Sequence, residues 1–461
     1  MRDENLAWHW IKNAPAKCAS EEKIVTAGVA FDDATKVAVF DGLKYVPPKP
    51  YFVAASEDPN LGDANLFDGI CADANGKCSL RAAVEQAAPT ALTSAVIVNV
   101  PAGTYPLSYE LNIWLLSKDA FGVTVRGAGA ANTILDGGGK TIHFYIRSVT
   151  AASVSIEKMT LQNGLDTQAV RGSSIDIGPS FYGDPDHSYI DSNVSISDCI
   201  VQNNSNGVAI FAHDGSGTLQ IYRSKILNND NHGVQLAASK GLLIEDSFFS
   251  KNNSRAVVVE KNVAAVSIRN STFLQNYEGV NFFDCKNCVV ENSTFVANAT
   301  NGLMVATSTA GVTDPALNVQ IRQATFYNNA TQANPLHLLS SNLSVSFANP
   351  ANAVVMTNSI LAIPGTGTQP NCMKGSNGNI QASYNLVTDS TCSLIGLGNM
   401  TGDPLLAPLA NNGGPTLTML LQAGSPALSA GPGALCTPTD QRGVARGGAT
   451  QSCDLGAVEM P

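Results

Sequence analysis

Short apolar runs separated by polar, asparagine-rich turns recur between residues 192 and 329, and the recurrence can be counted. Anchored on Ile196, Ile221, Ile244, Ile268, Val290 and Ile321, the separations are 25, 23, 24, 22 and 31 residues, the last holding an insertion over 307–315. A period of this size is one coil of a solenoid. Three positions past each anchor stands a small side chain: Cys199, Ser224, Ser247, Ser271, Ser293 and Ala324. Five past it stands a large apolar one: Val201, Ile226, Phe249, Phe273, Phe295 and Phe326. Alternate side chains of a strand face opposite ways, so both apolar positions reach one interior only if the chain turns a corner between them. Eight past each anchor the residue is Asn204, Asn229, Asn252, Asn276, Asn298 or Asn329. Asn tolerates left-handed backbone and its amide can bond the equivalent amide one coil away, which predicts a stacked ladder at a turn. A second short strand follows each ladder residue, as at 207–210, 233–236 and 279–282. A leucine skeleton or a period near 3.6, the marks of leucine-rich and helical repeats, is missing. Less regular coils flank the array around 154–156 and 354–361.

An open solenoid end exposes apolar rungs and strand edges, so a cap is expected. Leu80, Ala83, Val84 and Ala87 form an i, i+3, i+4, i+7 stripe that predicts a capping helix over 79–88.

Composition narrows the setting. Only 14% of the 461 residues are charged against 44% hydrophobic, so Asn, Ser, Thr and Gly must carry the surface. A net charge of -10 offers no basic field to a phosphate backbone, which argues against nucleic acid. No apolar run is long enough to span a bilayer. Cys71 with Cys78, Cys372 with Cys392, and Cys436 with Cys453 each close a turn-rich loop as disulfide staples do, which predicts an oxidising, extracytoplasmic compartment and a leader removed ahead of Met1. Cys285 and Cys288 could form a local bridge, bridge elsewhere, or remain thiols; Cys18 and Cys199 have no assigned partner. Cys199 falls in the small-residue column, as a core thiol rather than a nucleophile.

The stretch Asp68-Gly69-Ile70-Cys71 through Gly76-Lys77-Cys78-Ser79-Leu80-Arg81-Ala82-Ala83-Val84 resembles the CSLREA-type entry motif of secreted bacterial β-helix proteins, with Ala82 where that motif has Glu. Pro101-Ala102-Gly103-Thr104-Tyr105 and Val123-Thr124-Val125-Arg126-Gly127 are similar to their first coils. Asn412-Gly413-Gly414-Pro415, Asp440-Gln441-Arg442-Gly443 and Cys453-Asp454-Leu455-Gly456-Ala457 resemble their C-terminal segment. Array and resemblance together imply an all-β chain, a right-handed parallel β-helix with an N-terminal capping helix and a loop-rich, disulfide-bonded C-terminal segment. The expected divisions are an arm over 1–50, entry and cap over 51–135, coils over 136–361, and the helix end and cap segment over 362–461. Trp8 and Trp10 suggest that the arm packs on the body.

Candidate chemistry sits in the loop Phe181-Tyr182-Gly183-Asp184-Pro185-Asp186-His187 and in the turn Asn229-Asp230-Asn231-His232-Gly233. Loop and turn are similar to those of alginate C5-epimerases and related polyuronate lyases, with Asp186 inserted between Pro185 and His187. Removing the C5 proton of a uronate requires a base, a group that neutralises the carboxylate, and an acid. The resemblance implies Tyr182 and His187 as base and acid, Asp184 holding or neutralising, and His232 completing the site; Arg223, one coil away, could meet the carboxylate. A solvated turn, or a calcium site through Asp184, Asp186 and Asp191, is the competing reading of the same loop; no cofactor is otherwise required. His213-Asp214 reads as loop, the Phe249 to Phe326 column as core, and the Asn-x-Ser/Thr sequons as by-products of the ladder. The β-helix array holds no Asp-Asp pair of the kind pectin hydrolases use, which ranks hydrolysis below proton abstraction. The expected function is therefore a secreted protein acting on an extended, uronate-containing polysaccharide as epimerase or lyase. The alternative is a non-catalytic surface or adhesion β-helix that binds glycan or a partner protein.

Overall fold

A computed structural model describes residues 48–460, except 55–59, 116, 118, 149–152, 168–171, 179–191, 214–215, 261–262, 308–316, 332–339, 366, 368 and 449–450, together with the backbone of three strands between 29 and 45. Three long parallel sheets wind as a right-handed β-helix. Sheet A has 12 strands, from Lys49–Phe52 to Ile380–Ser383; sheet B has 12, from Gly103–Pro106 to Met400–Thr401; sheet C has ten, from Leu111–Leu115 to Cys372–Lys374. Each coil runs A, B, C. Thus Asn193–Ser197, Ile200–Gln202 and Val208–Ala212 precede Thr218–Tyr222, which pairs with the first of them so that Ile196 faces Ile221. The predicted period is this register: Ile221 pairs with Ile244, Ile244 with Ile268, Ile268 with Val290 and Val290 with Ile321.

The corner that lets anchor and fifth position share the interior is a single left-handed residue two past the anchor. Asp198, Arg223, Asp246, Asn270, Asn292 and Gln323 all have φ between 45° and 54°. One residue there reverses the inside-outside alternation, so Ile196 and Val201 are both fully buried. Phe249, Phe273, Phe295 and Phe326 stack in sheet B at 5.0, 4.7 and 4.6 Å between ring centroids, inside the core.

The asparagine ladder forms between sheets B and C. Each side-chain carbonyl accepts from the side-chain amide of the Asn before it, at 2.9 Å for Asn204 to Asn229 and for Asn229 to Asn252, and also accepts that residue's backbone N–H. From Asn229 to Asn329 each amide donates a second bond to a strand carbonyl, as from Asn252 to Ile226. The left-handed residue is not the ladder Asn but the one ahead of it: Asn203, Asn228, Lys251, Gln275, Ala297 and Asn328. The ladder side chain must point inward to reach its neighbour, and the preceding residue makes the bend. The column also outruns the counted repeat, because Asn342 and Asn371 continue it at 2.7 Å per step.

Helix α1, Leu80–Thr90, closes the N-terminal end, with Leu80, Ala83, Val84 and Ala87 all buried as their spacing predicts. Ser79 Oγ caps it by accepting from Ala82 N–H at 3.0 Å. The strands Val29–Asp32, Val37–Phe40 and Leu43–Tyr45 form a separate antiparallel sheet; Trp8, Trp10 and Cys18 lie outside the described residues. The C-terminal segment does more than end the helix. It folds back along sheet B, where Gln441 donates to Thr272 Oγ1 at 2.8 Å and accepts from Thr294 Oγ1 at 2.6 Å. Disulfides join Cys71 to Cys78, Cys285 to Cys288, Cys372 to Cys392 and Cys436 to Cys453. Cys199 is a buried free thiol whose pKa burial pushes up to about 12, far from a nucleophile.

Candidate functional site

Tyr182, Asp184 and His187, with Asp186 and Asp191, lie outside the described residues. The ends of their segment are fixed by what flanks it. The chain leaves sheet C after Gly178, whose N–H donates to Ile146 O at 3.0 Å, and returns at Ser192, whose Oγ accepts from Ser148 N–H at 2.9 Å. The segment therefore departs from the corner between sheets C and A.

His232 and Arg223 stand at the other two corners. Arg223 is at the A-to-B corner, and its guanidinium is held by Asp198 through two bonds of 2.8 Å. That pairing holds Asp198 below and Arg223 above their ordinary ranges. His232 is at the B-to-C corner, beyond the intervening strand Lys225–Leu227, so the two do not converge. His232 Nδ1 accepts from the backbone N–H of Arg255 at 3.2 Å. Burial, then the charge of Arg255, pushes its pKa down to about 4, so the ring is neutral near pH 7. Beside it Arg255 Nε bonds Glu278 at 2.7 Å, and Glu278 accepts from Asn281 and Asn301 at 2.9 and 2.8 Å. His143, buried between Ser174 Oγ at 3.0 Å and Gln162 O at 2.9 Å, is likewise pushed to about 4.

The densest chemistry among the described residues lies at the C-to-A edge, on the outer face of sheet C. Leu111–Leu115, Phe144–Ser148, Gly172–Ile177 and Val208–Ala212 are neighbouring strands; Trp114 pairs with Arg147, and Gly178 and His213 follow directly on the paired Ile177 and Ala212, which continues the same row one residue past those strand ends. Asn112, Tyr145, Asp176 and Phe211 form the next row. Trp114 is 42% exposed. The Arg147 guanidinium lies 5.7 Å from the Trp114 ring and 4.8 Å from the Tyr145 ring, and its Nε donates to Tyr145 Oη at 2.6 Å. Two strands further, His213 Nε2 lies 2.8 Å from Asp176 Oδ1, with His213 3% and Asp176 0% exposed. The same oxygen accepts Gly172 N–H at 2.8 Å, while Oδ2 has no hydrogen-bond partner. The Phe211 ring packs on His213 at 3.9 Å, within a small apolar cluster with Val208 and Ala237 that is separate from the core.

The sequence does not mark this row; His213, read as loop, does lie one residue past the strand Val208–Ala212, with its ring held by Asp176. The connections from sheet B to sheet C vary in length, so the columns of sheet C cannot be counted from the ladder. The available signal is the polar residue after the second inward side chain, as in Ile146-Arg147 and Ala212-His213. No group of three His, Cys, Asp or Glu able to hold a metal occurs among the described residues. No helix among them is long and apolar enough to cross a membrane, and the four disulfides fit an extracellular setting.

A family model for the right handed beta helix region matches residues 121–281. No curated protein sequence matches the chain. Among solved structures, the A-module of the Azotobacter vinelandii mannuronan C-5 epimerase AlgE6 is 16% identical, over 70% of this chain and 92% of that one, with a TM-score of 0.39. Pectate lyase Pel9A is 14% identical over 90% and 97%, with a TM-score of 0.48. The catalytic domain of a GH87 alpha-1,3-glucanase is 13% identical over 74% and 60%, with a TM-score of 0.41. By its three parallel sheets, their register and the family match over 121–281, this chain has the right-handed parallel β-helix fold.

Proposed function

We propose that the protein is exported and binds an extended, uronate-containing polysaccharide along the C-to-A edge, acting on it by C5 proton abstraction as an epimerase or lyase. The observation that carries this reading is the row Trp114, Arg147, Gly178, His213 at the point from which segment 179–191 departs. Strands stack about 4.8 Å apart, so successive rungs match successive sugar units of a polymer running along the solenoid axis. Trp114 offers an aromatic plane to the apolar face of a sugar ring, and the Arg147 guanidinium, 5.7 Å from that ring and 4.8 Å from the Tyr145 ring, brings positive charge beside it. Gly178, with φ +115°, lies so close to His213 that a Cβ there would come within 3.1 Å of the His213 Cβ, and the segment carrying Tyr182, Asp184 and His187 follows it in the chain. In this reading Tyr182 and His187 exchange the proton, Asp184 holds the ring or its carboxylate, and Arg147 takes the neutralising task, while Arg223 and His232, at the other two corners, stand apart from the reacting sugar. A calcium ion on Asp184, Asp186 and Asp191 is the reading's one optional inorganic partner.

A second reading is favoured by the burial of His213 and Asp176: a surface that binds glycan without turning it over. Incubation with alginate and other uronans separates the two. Unsaturated ends seen by ultraviolet absorbance, or altered anomeric proton signals, together with their loss in the His187→Ala variant and their survival in His232→Ala, support the enzyme. Binding with neither signal supports the second reading, and neither binding nor turnover removes both.

A further inference from the structure

The fold-back of the C-terminal segment builds a second feature, remote from the sheet C edge. Where it passes the A-to-B corner of the late coils it walls a cleft of about 420 Å³ against the outer face of sheet A. The floor is Gln320 and Arg322 on one strand and Val355 and Thr357 on the next, which pair residue for residue. The wall includes Leu435 and Pro438.

The wall is pinned. Cys436 is tied to Cys453, Thr437 N–H donates to Gln323 Oε1 at 2.6 Å, and Asn358 donates to Leu435 O at 3.0 Å. Gln323 and Asn358 are left-handed corner residues, so the rungs that turn the coil also fix the wall. The cleft is a rigid recess, not a gap under a loose tail.

Its charge is paired. The outer row of sheet A reads Glu245, Arg269, Glu291, Arg322, Thr357, so one carboxylate, Glu291, is shared by two guanidinium groups. The shared contacts, 3.7 Å to Arg269 and 3.8 Å to Arg322, are longer than direct hydrogen bonds. Glu291 lines the cleft beside Arg322, whose guanidinium also donates to Gln320 Oε1 and stays 46% exposed, the one cation among the described lining residues. Val355 and Leu435, 39% and 41% exposed, supply apolar surface on either side of it. A guanidinium between two apolar shelves, with amide and hydroxyl groups alongside, complements a sugar ring bearing a carboxylate.

We infer that this cleft is a second binding site for an acidic oligosaccharide, engaging a carboxylate through Arg322 and a ring face through Val355 and Leu435. It rests on the proposed function for the class of polymer alone. A chain held here and at the sheet C edge is gripped at two separated points, which raises affinity for long polymers over short ones.

The test is calorimetric titration of the full chain with defined oligomannuronate, oligoguluronate and oligogalacturonate, with a neutral cello-oligosaccharide as control. Short acidic oligomers are expected to fill two sites, and Arg322→Ala to remove one or weaken it at least about tenfold while the melting temperature is kept. Arg147→Ala removes the other. One site lost in Arg147→Ala and untouched in Arg322→Ala overturns the second site and leaves the proposed function standing. One site lost only in Arg322→Ala upholds the cleft and removes the sheet C edge. No acidic oligomer bound, or equal binding of the neutral control, overturns the cleft.

Discussion

Nε2 of His213, one residue past the strand Val208–Ala212, lies 2.8 Å from Oδ1 of Asp176 on the neighbouring strand of sheet C, and both side chains are buried. A buried carboxylate needs its partners, and this one takes two donors through a single oxygen, His213 and Gly172 N–H, while Oδ2 takes none. Asp176→Ala strands both donors and is expected to cost about 3 kcal/mol. Chemical denaturation followed by circular dichroism checks it; Asp176→Asn, which keeps an acceptor, costs less.

The ladder is expected to be as sensitive as the apolar core. Asn252 accepts from the backbone and side chain of Asn229, and donates to Ile226 O and Asn276 Oδ1, all out of water. Asn252→Ala leaves several of these groups unpaired and should cost about 3 kcal/mol or more. Its neighbour Asn253 is exposed, and Asn253→Ala should change the denaturant midpoint little.

Phe273 sits between Phe249 and Phe295 with rings 15° and 9° from parallel. Phe273→Ala opens a cavity that neighbouring rungs cannot close without shifting register, and a loss of about 3–5 kcal/mol is expected. Hydrogen exchange should show the loosening strongest in the coils on either side.

Acid should destabilise the fold through two histidines. His143 and His232 are both pushed to about 4 in the folded protein, chiefly by burial. Between that value and the ordinary histidine pKa of about 6.5 the unfolded chain binds more protons than the folded one, so stability rises with pH across this window. The contribution is whole above about 6.5 and falls away as pH drops toward 4. His232→Gln should flatten part of this slope in melts at stepped pH.

Cutting the Cys436–Cys453 link by paired Cys→Ser substitution frees a 17-residue separation in the fold-back. A loss of about 3 kcal/mol, concentrated in the C-terminal segment, is expected. Limited proteolysis should then cleave after about residue 430 while the coils of 192–329 stay resistant.

Sheets A and B were legible in the sequence because a fixed offset of three, five and eight residues ties each anchor to its small, apolar and Asn positions, from Ile196 to Asn329. Physically, the two short corners on either side of sheet B allow no insertion there. Sheet C was not legible in the same way. Between Gln162 and Gly172, Gln202 and Val208, and Leu227 and Val234 the chain takes different lengths to reach it, so the row of Trp114, Arg147 and His213 has no sequence period. Asn342 joins the ladder from a sheet C strand for the same reason, ahead of an apolar coil that has Pro364 at the counted position. The cleft at Arg322 depends on a segment more than a hundred residues later and left no local trace.

The most direct measurement is a hydrogen-exchange footprint of the full chain with and without saturating oligouronate. Protection over 111–115, 144–148 and 208–213 is the predicted result. Bound oligouronate that leaves those three strands unprotected would contradict the placement of the polymer on the sheet C edge.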